Sequence, residues 1–318
     1  MTNMISAEKR RVAYINEMIE SGHAAELVAE GENYHAAQLK RIAAEISCRY
    51  PIRVVLLAGP SSSGKTSTSH RLCLELLEHN KKPVALSLDN WFLESGQVPL
   101  DAEGKPDYES VYAVDLVQLA DDLRRLIAGE EVALPTFNFL TGKREYDGTT
   151  VQLHRYNILV LEGIHALNPI LTEHIKPENK YKIYAAPMSP VSLDGETWIP
   201  THVHRLLRRM SRDLRTRGKS PQTTISTWQA VRNGEHKWIE PFRNEADVEF
   251  DTSMIYELPA IRYAVEAALQ TVPAASDEYK TAERLLFYLS FFEGLEASLI
   301  PRTSILREFI GGSQFNVG

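Results

Sequence analysis

Residues 59–66 read GPSSSGKT and match the pattern G-x-x-x-x-G-K-[ST] at every fixed position. The apolar run IRVVLLAG ends in this loop, and the amphipathic segment HRLCLELLEH follows at residues 70–79. A small-residue loop between a strand and a helix lets backbone N–H groups and the positive end of the helix dipole surround a phosphate. This feature restricts the chain to folds in which a strand leads directly into a helix, and it predicts binding of a nucleoside triphosphate.

Side chains in a loop of this kind have defined tasks. Lys65 is expected to reach the β- and γ-phosphates, and the Thr66 hydroxyl is expected to ligate Mg²⁺. The residues predicted to bind the nucleotide here are Gly59, Ser61, Ser62, Ser63, Gly64, Lys65, Thr66 and Ser67. Because kinases, GTPases and ATPases all carry such a loop, the choice among them depends on the rest of the chain.

After residue 52, short apolar runs alternate with amphipathic segments, and this alternation is typical of a parallel sheet covered on both faces. The runs occupy residues 52–59, 83–89, 157–163 and 181–187. Between them, residues 134–153 contain two strand-like pieces that flank Thr141-Gly142-Lys143, which predicts an inserted β-hairpin. The predicted fold class is therefore α/β, with a P-loop NTPase-type parallel sheet, helices on both faces, the hairpin and an arginine-rich helical lid.

The chain divides into one P-loop domain with helical additions. Residues 1–50 are predicted to form an N-terminal helical extension, because an apolar stripe with helical spacing runs to residue 46 and Pro51 ends it. Residues 51–318 are predicted to form the P-loop domain, with the lid at about 200–220 and C-terminal helices at about 257–310.

Charge and cysteine content exclude several classes of protein. The 35 Lys and Arg residues are outnumbered by 42 Asp and Glu residues, a net charge of −7 that disfavours a nucleic-acid coat protein. Two cysteines, Cys48 and Cys73, are too few for a disulfide framework. Neither a signal peptide nor an apolar run of membrane-spanning length is present in the sequence. We therefore expect a cytoplasmic protein with no membrane or nucleic-acid partner.

Two acidic residues follow apolar runs, where open α/β sheets bind their ligands. Asp89 ends the second run and could accept a proton from an attacking hydroxyl, although a turn or capping role is the alternative. Glu162 ends the third run, which has the form of a Walker B element, so it could contact Mg²⁺ through water. A plain strand-end acid is the alternative for Glu162.

Residues 205–217 hold six arginines and one acid within a chain that is acidic as a whole. Positions 205, 208, 209 and 212 share one helical face, and leucines and a methionine occupy the other. A solvated face is the ordinary interpretation of such a run. Because arginine forks suit phosphate oxygens, we instead predict a mobile lid that brings these side chains onto the triphosphate.

Several of these segments together resemble the uridine kinase branch of the phosphoribulokinase/uridine kinase family over about residues 52–255. They are the segments GPSSSGKTS, SLDNWF, PDYESVYAVD, PTFNF, LEGIH and HRLLRRMSRDLRTRG. The resemblance implies a kinase in which Asp89 is the base on a nucleoside 5′-hydroxyl and Thr66 with Glu162 forms the Mg²⁺ side. Catalytic roles are implied for Asp89, Lys65 and Arg208.

For the acceptor, the resemblance implies that Glu109 holds the ribose hydroxyls, Phe137 packs beside the base and Arg205 lies near the sugar. It also implies that Arg208, Arg209 and Arg212 face the phosphates. Where characterised uridine-cytidine kinases have a pyrimidine-contacting His in the hairpin, this chain has residues 141–144, TGKR.

The expected activity is ATP-dependent, Mg²⁺-requiring phosphorylation of uridine or cytidine at the 5′-hydroxyl. A P-loop kinase for another small alcohol, such as a sugar phosphate or pantothenate, is the enzymatic alternative. A nucleotide-binding regulator without efficient catalysis is the alternative of a different class, and the presence of both Asp89 and Glu162 disfavours it. The family resemblance also makes a homo-oligomer plausible.

Overall fold

The fold is described from a computed structural model covering residues 5–101, 103–139 and 141–317. Its strands are β1 (Val54–Ala58), β2 (Lys82–Ser87), β3 (Glu131–Ala133), β4 (Thr136–Asn138), β5 (Lys143–Glu145), β6 (Thr150–Gln152), β7 (Asn157–Glu162), β8 (Lys180–Ala186) and β9 (Val248–Asp251). Its α-helices are α1 (Val12–Glu20), α2 (Ala24–Cys48), α3 (Lys65–Glu78), α4 (Leu116–Ala128), α5 (Pro169–Thr172), α6 (Thr201–Thr216), α7 (Pro221–Ser226), α8 (Trp228–Trp238), α9 (Glu257–Leu269), α10 (Tyr279–Ser290) and α11 (Arg307–Ile310).

Five parallel strands form the central sheet, in the order β2-β7-β1-β8-β9. Along β1, which is buried throughout, Val54, Leu56 and Ala58 belong to one apolar cluster, and Val55 and Leu57 belong to another. Alternate side chains of a strand point to opposite faces, so each face of the sheet has its own core. Helix α4 covers the first face, and α2 and α3 cover the second. The predicted α/β fold with helices on both faces is confirmed.

The predicted hairpin region contains two short antiparallel pairs, β3 with β6 and β4 with β5. Gly142 lies in the connection between β4 and β5 with a φ of 66°, a conformation that favours glycine. The Gly142 N–H donates to the Asn138 carbonyl oxygen at 2.8 Å and closes the turn. These strands follow α4 and precede β7, so the hairpin is inserted between two elements of the main sheet.

A third apolar cluster joins the two ends of the chain to the arginine-rich helix. Helix α6 buries its apolar face, including Leu207 and Met210, against α9 and the C-terminal segment. Ten residues of this 16-residue helix are buried, so α6 forms part of the core in this structure, and its movement as a lid stays a prediction. None of the helices in the described ranges is long and apolar enough to cross a membrane.

Candidate active site

The phosphate-binding loop connects β1 to α3 and depends on two glycines. A Cβ atom at Gly59 would lie 1.9 Å from the Ala185 carbonyl oxygen, so only glycine allows β8 to approach this closely. Gly64 has a φ of 87°, in the left-handed region, and it directly precedes the first residue of α3. The loop therefore delivers the first turn of α3, with its free N–H groups, to the end of the sheet.

Lys65 is buried at the start of α3, and its Nζ donates to the Pro60 carbonyl oxygen at 3.1 Å. Burial lowers the pKa of this lysine, while the negative charges of Glu162 and Asp89 raise it. Nearby negative charges favour the protonated form of a lysine, whereas burial disfavours it. Lys65 thus lies inside the loop beside two carboxyl groups, at the position where the sequence predicts contact with the phosphates.

Glu162 and Thr66 meet at the end of the sheet. In the strand register, Glu162 lies beside Leu57 of β1 and Ser87 of β2, and its Oε1 accepts from Thr66 Oγ1 at 3.1 Å. Burial raises the pKa of Glu162 to about 7, although the charge of Lys65 opposes this shift. Mg²⁺ commonly takes one or two protein oxygens and completes its shell with water and phosphate oxygens. The hydroxyl and carboxylate oxygens present here fit that ion.

Asp89 lies in a short 3₁₀ helix, Leu88–Trp91, that directly follows β2. The Ser87 hydroxyl caps this helix by accepting from the Asp89 N–H at 3.3 Å, and Trp91 Nε1 anchors it to Asp122 at 2.8 Å. Burial raises the pKa of Asp89, and the charges of Lys65 and Arg217 lower it. The carboxyl group is therefore in electrostatic contact with the lysine of the loop, as the positions of the two strand ends predict.

Two arginines of α6 contact the loop at Ser61. Arg205 Nε donates to the Ser61 carbonyl oxygen at 2.9 Å, and Arg209 Nη1 donates to the Ser61 hydroxyl at 2.8 Å. Glu235 of α8 accepts from Arg205 at 2.7 Å, and the guanidinium lies 5.4 Å from the centre of the Trp228 ring. The arginine-rich helix and the phosphate-binding loop are thus directly joined.

Arg208 has surroundings that differ from the predicted phosphate-facing, catalytic ones. Its side chain is fully buried and donates to the Thr252 carbonyl oxygen at 2.7 Å and to the Ser63 carbonyl oxygen at 3.3 Å. It also forms an ion pair with Glu257, the first residue of α9. The sequence pattern grouped Arg208 with its neighbours by helical face and contained no sign of this distant carboxylate. Arg208 therefore contacts the phosphate-binding loop by donating to a backbone carbonyl oxygen of the loop, that of Ser63.

Asp213 organises the remaining arginines, and sequence reasoning gave it no role. Its carboxylate is fully buried and lies 3.0 Å from Arg212, 3.5 Å from Arg209 and 3.8 Å from Arg217. Arg217, one of the six arginines of the predicted lid, lies 4.9 Å from the centre of the Phe139 ring. The i, i+4 spacing was a signal in the sequence that could have identified two of these pairs, Arg209 with Asp213 and Asp213 with Arg217.

On the acceptor side, burial raises the pKa of Glu109 to about 7, whereas the charges of Arg209 and Lys65 lower it. Phe137, predicted to pack beside a base, is buried, with ring centres 5.6 Å from Phe92 and 5.2 Å from Phe139. Phe139 is half exposed and is the more accessible aromatic ring of this group. Glu109 therefore lies close enough to Arg209 and Lys65 for their charges to act on it, whereas Phe137 occupies a core position.

Several buried polar atoms around the loop have no hydrogen-bond partner within the described part of the chain. They are Ser62 Oγ, Ser63 Oγ, Glu109 Oε2 and Arg205 Nη2. Buried polar groups in folded proteins almost always have partners. This concentration of unsatisfied donors and acceptors is the pattern expected where a polar ligand binds.

Comparison with known proteins gives this arrangement its family. The sequence model of the Phosphoribulokinase / Uridine kinase family matches residues 54–257, which is more than half of the chain. A uridine kinase from Lactobacillus helveticus is 28% identical over 196 residues, covering 61% of this chain and 84% of the relative. A uridine kinase from Staphylococcus aureus (strain JH9) is 27% identical over 197 residues, covering 61% and 85%.

Among solved structures, a putative fructose transport system kinase from Silicibacter sp. TM1040 has the same fold. The TM-score is 0.50 at 19% sequence identity, covering 67% of this chain and 97% of that chain. The fold, the loop and the family match agree with one another. This chain belongs to the phosphoribulokinase/uridine kinase family of P-loop kinases, phosphotransferases that act on small substrates.

Proposed function

We propose that this protein is an ATP-dependent nucleoside kinase that phosphorylates the 5′-hydroxyl of uridine or cytidine. The observation that carries the proposal is that the ionisable groups of Lys65, Asp89 and Glu162 lie close enough for their charges to act on one another, with Lys65 and Glu162 buried. The names of the two bacterial relatives support a nucleoside as the acceptor. A non-catalytic regulator would have no need of a carboxyl group at both strand ends.

In the proposed reaction, the nucleoside hydroxyl gives its proton to Asp89 as its oxygen attacks the γ-phosphorus of ATP. The bond between that phosphorus and the β–γ bridging oxygen breaks, and ADP leaves. Burial raises the pKa of Asp89, which brings this base closer to neutral pH, where general bases work best. Lys65, Arg209 and Arg212 would stabilise the charge on the transferring group, as cations do in phosphoryl transfer generally.

Thr66 and Glu162 would hold the magnesium ion, since their oxygens lie 3.1 Å apart beside the loop. When bound, Mg²⁺ neutralises charge on the β- and γ-phosphates. Glu162 would act as a carboxylate in this role, so the positive charges of the ion and of Lys65 would both favour its deprotonated form.

For the acceptor, we propose that Glu109 accepts hydrogen bonds from the ribose hydroxyls. Its buried Oε2 has no partner within the described ranges, so it offers an unsatisfied acceptor. Arg205 would lie near the sugar, because it is fixed between Ser61 and Glu235. Phe137 and the more exposed Phe139 would provide the apolar wall for the base.

A second acceptor class, a phosphorylated small alcohol, is favoured by one observation. Arg217 lies against the Phe139 ring and is close enough to Asp89 for its charge to lower the pKa of that carboxyl group. A cation at this position suits an anionic acceptor better than a neutral nucleoside. Sugar phosphates, and pantothenate with its carboxylate, are therefore the acceptors to compare with uridine and cytidine.

The test is an acceptor panel containing uridine, cytidine, adenosine, a pentose phosphate and pantothenate, each with ATP and Mg²⁺. ADP formation is measured together with chromatography of the phosphorylated product. Asp89→Asn, prepared identically, serves as the control for contaminating kinases. Formation of uridine or cytidine monophosphate by the wild type alone is the expected result. Product from another acceptor only would refute the nucleoside assignment, and background ATP hydrolysis throughout would favour the regulator.

A further inference from the structure

A short segment near the C-terminus, residues 304–309, contacts the phosphate-binding loop although it lies outside the family match at 54–257. A Cβ atom at Gly64 would lie 3.2 Å from Ile305 Cδ1, so this side chain is seated against the loop. On the other side of the segment, Arg215 donates to the Glu308 carbonyl oxygen at 2.8 Å. The segment thus lies between α3 and α6, the two elements that surround the donor phosphates in the proposed reaction.

Glu308 places a carboxylate on the first turn of α3. Its side chain is 6% exposed, and its Oε2 accepts from the Ser67 N–H at 3.1 Å and from the Ser67 hydroxyl at 3.0 Å. The first N–H groups of a helix have no partner within the helix, and they are the donors that bind phosphate at helix N-termini. In this conformation, an anion supplied by the chain itself occupies donors that a nucleotide phosphate would use.

The same carboxylate is in electrostatic contact with the catalytic groups. Its negative charge raises the pKa of Lys65 and contributes to the raised pKa of Glu162, although burial has the largest effect on both groups. An incoming triphosphate that reaches Lys65 therefore also meets the charge of Glu308. Two anions cannot share the Ser67 donors, because each would lose its hydrogen bonds and repel the other.

We propose that Glu308 is an internal anionic ligand of the loop helix, and that a nucleotide phosphate displaces it from Ser67 and loosens residues 304–317. This inference rests on the proposed function in one respect, since it requires that ATP binds the loop. The alternative is that this carboxylate is only a helix cap that stabilises α3. In that case, a variant without the charge of Glu308 would bind ATP as tightly as the wild type or more weakly. Displacement predicts instead that such a variant binds ATP more tightly.

The first experiment measures ATP and ADP affinity by titration calorimetry with Mg²⁺ for Glu308→Gln and the wild type. Glutamine keeps the size and one acceptor oxygen but removes the charge. We expect the variant to bind ATP about tenfold more tightly, the affinity change for losing one opposing interaction of ordinary strength. Glu293→Gln is the matched control, because Glu293 is exposed on the same C-terminal part of the chain. Its affinity should equal that of the wild type.

The second experiment uses hydrogen exchange on the wild-type protein and so does not depend on the variant folding. Saturating ATP with Mg²⁺ should speed amide exchange in residues 304–317, while α10 serves as the internal reference. Unchanged or slower exchange there would overturn the displacement. Equal or weaker ATP binding by Glu308→Gln would overturn it as well, and would leave Glu308 as a cap. Failure of both proteins to bind ATP would refute the proposed function, and this inference with it.

Discussion

Replacement of Glu257 by glutamine removes the ion-pair partner of a buried arginine without changing the volume of the site. The Glu257 carboxylate is fully buried and pairs with Arg208 and His204, which are themselves 0% and 1% exposed. It also accepts from the Met254 N–H at 3.2 Å. In Glu257→Gln, the Arg208 guanidinium would remain buried with its backbone acceptors but without a counter-charge. The resulting loss of stability can be calculated.

Two independent routes give the size of this loss. Removing one partner of a buried ion pair costs about 3–5 kcal/mol. Burial alone would raise the pKa of Glu257, but the charges of Arg208 and His204 more than offset it and lower the pKa from 4.5 to about 2. A depression of this size corresponds to about 3 kcal/mol at neutral pH. We therefore expect a loss of about 3 kcal/mol, which lowers the melting temperature of a chain of this length by roughly 4–5 °C.

The direction of the pH dependence follows from the lowered pKa. Because the folded-state pKa lies below the unfolded one, the stabilisation is complete above about 4.5 and is lost as the pH falls towards about 2. The difference in unfolding free energy between the wild type and Glu257→Gln should therefore be full at pH 7 and shrink below pH 4.5. Urea unfolding, followed by circular dichroism at a series of pH values, measures both quantities.

Glu249→Gln is the matched control for this experiment. Glu249 pairs with Arg243 at the surface, where the two side chains are 45% and 43% exposed, so its replacement should cost less than about 1 kcal/mol. If Glu257→Gln loses no more stability than this control at pH 7, the structural role assigned to Arg208 is wrong. If stability is unchanged while turnover is abolished, the catalytic role implied by the sequence would be restored to Arg208.

Three further predictions concern the site itself. Asp89→Asn should lower turnover by about 10²–10⁴-fold, while calorimetry shows that ATP binding is largely retained. Near-normal turnover would show that Asp89 is not the general base. The KM of the nucleoside should fall as the pH rises through about 7, where Glu109 loses its proton, and Glu109→Gln should abolish this dependence; a dependence that survives in the variant would contradict the role. Gly59→Ala should abolish ATP binding, because its Cβ would lie 1.9 Å from the Ala185 carbonyl oxygen; wild-type affinity would contradict this account of the loop.

Local pattern was sufficient to predict the phosphate-binding loop and four of the five strands of the main sheet. Those four strands are short apolar runs, a composition that suits strands inside a parallel sheet. The fifth, β9, has the alternating sequence VEFD and was not predicted. The loop has a fixed spacing because its backbone curls around one phosphate group. The loop motif and the Walker B-like run each pointed to Mg²⁺, and the family resemblance paired Thr66 with Glu162; their side-chain oxygens are 3.1 Å apart. Short-range patterns therefore predicted residues that lie together in the fold.

Pairings between distant parts of the chain could not be predicted in this way. Glu257 follows Arg208 by 49 residues, and Glu308 follows Ser67 by 241 residues. The helical-face pattern shows which arginines point in one direction, but the roles of those arginines depend on acids from other elements. The same limit applies to the apolar half of α6, because the helical-face pattern does not show which distant elements this half packs against.

The acids around α6 suggest a physical rule for reading its arginines. Arg208 has a fully buried counter-charge from another helix, which fixes it as a support of the loop. Arg209, Arg212 and Arg217 share the single carboxylate of Asp213, so this group keeps an excess of positive charge. A chain with a net charge of −7 thus concentrates positive charge beside Lys65 by supplying fewer acids than arginines at one place. We expect this excess to favour an anionic ligand such as a nucleotide phosphate, and for that reason Asp213→Asn should disperse these arginines and weaken nucleotide binding.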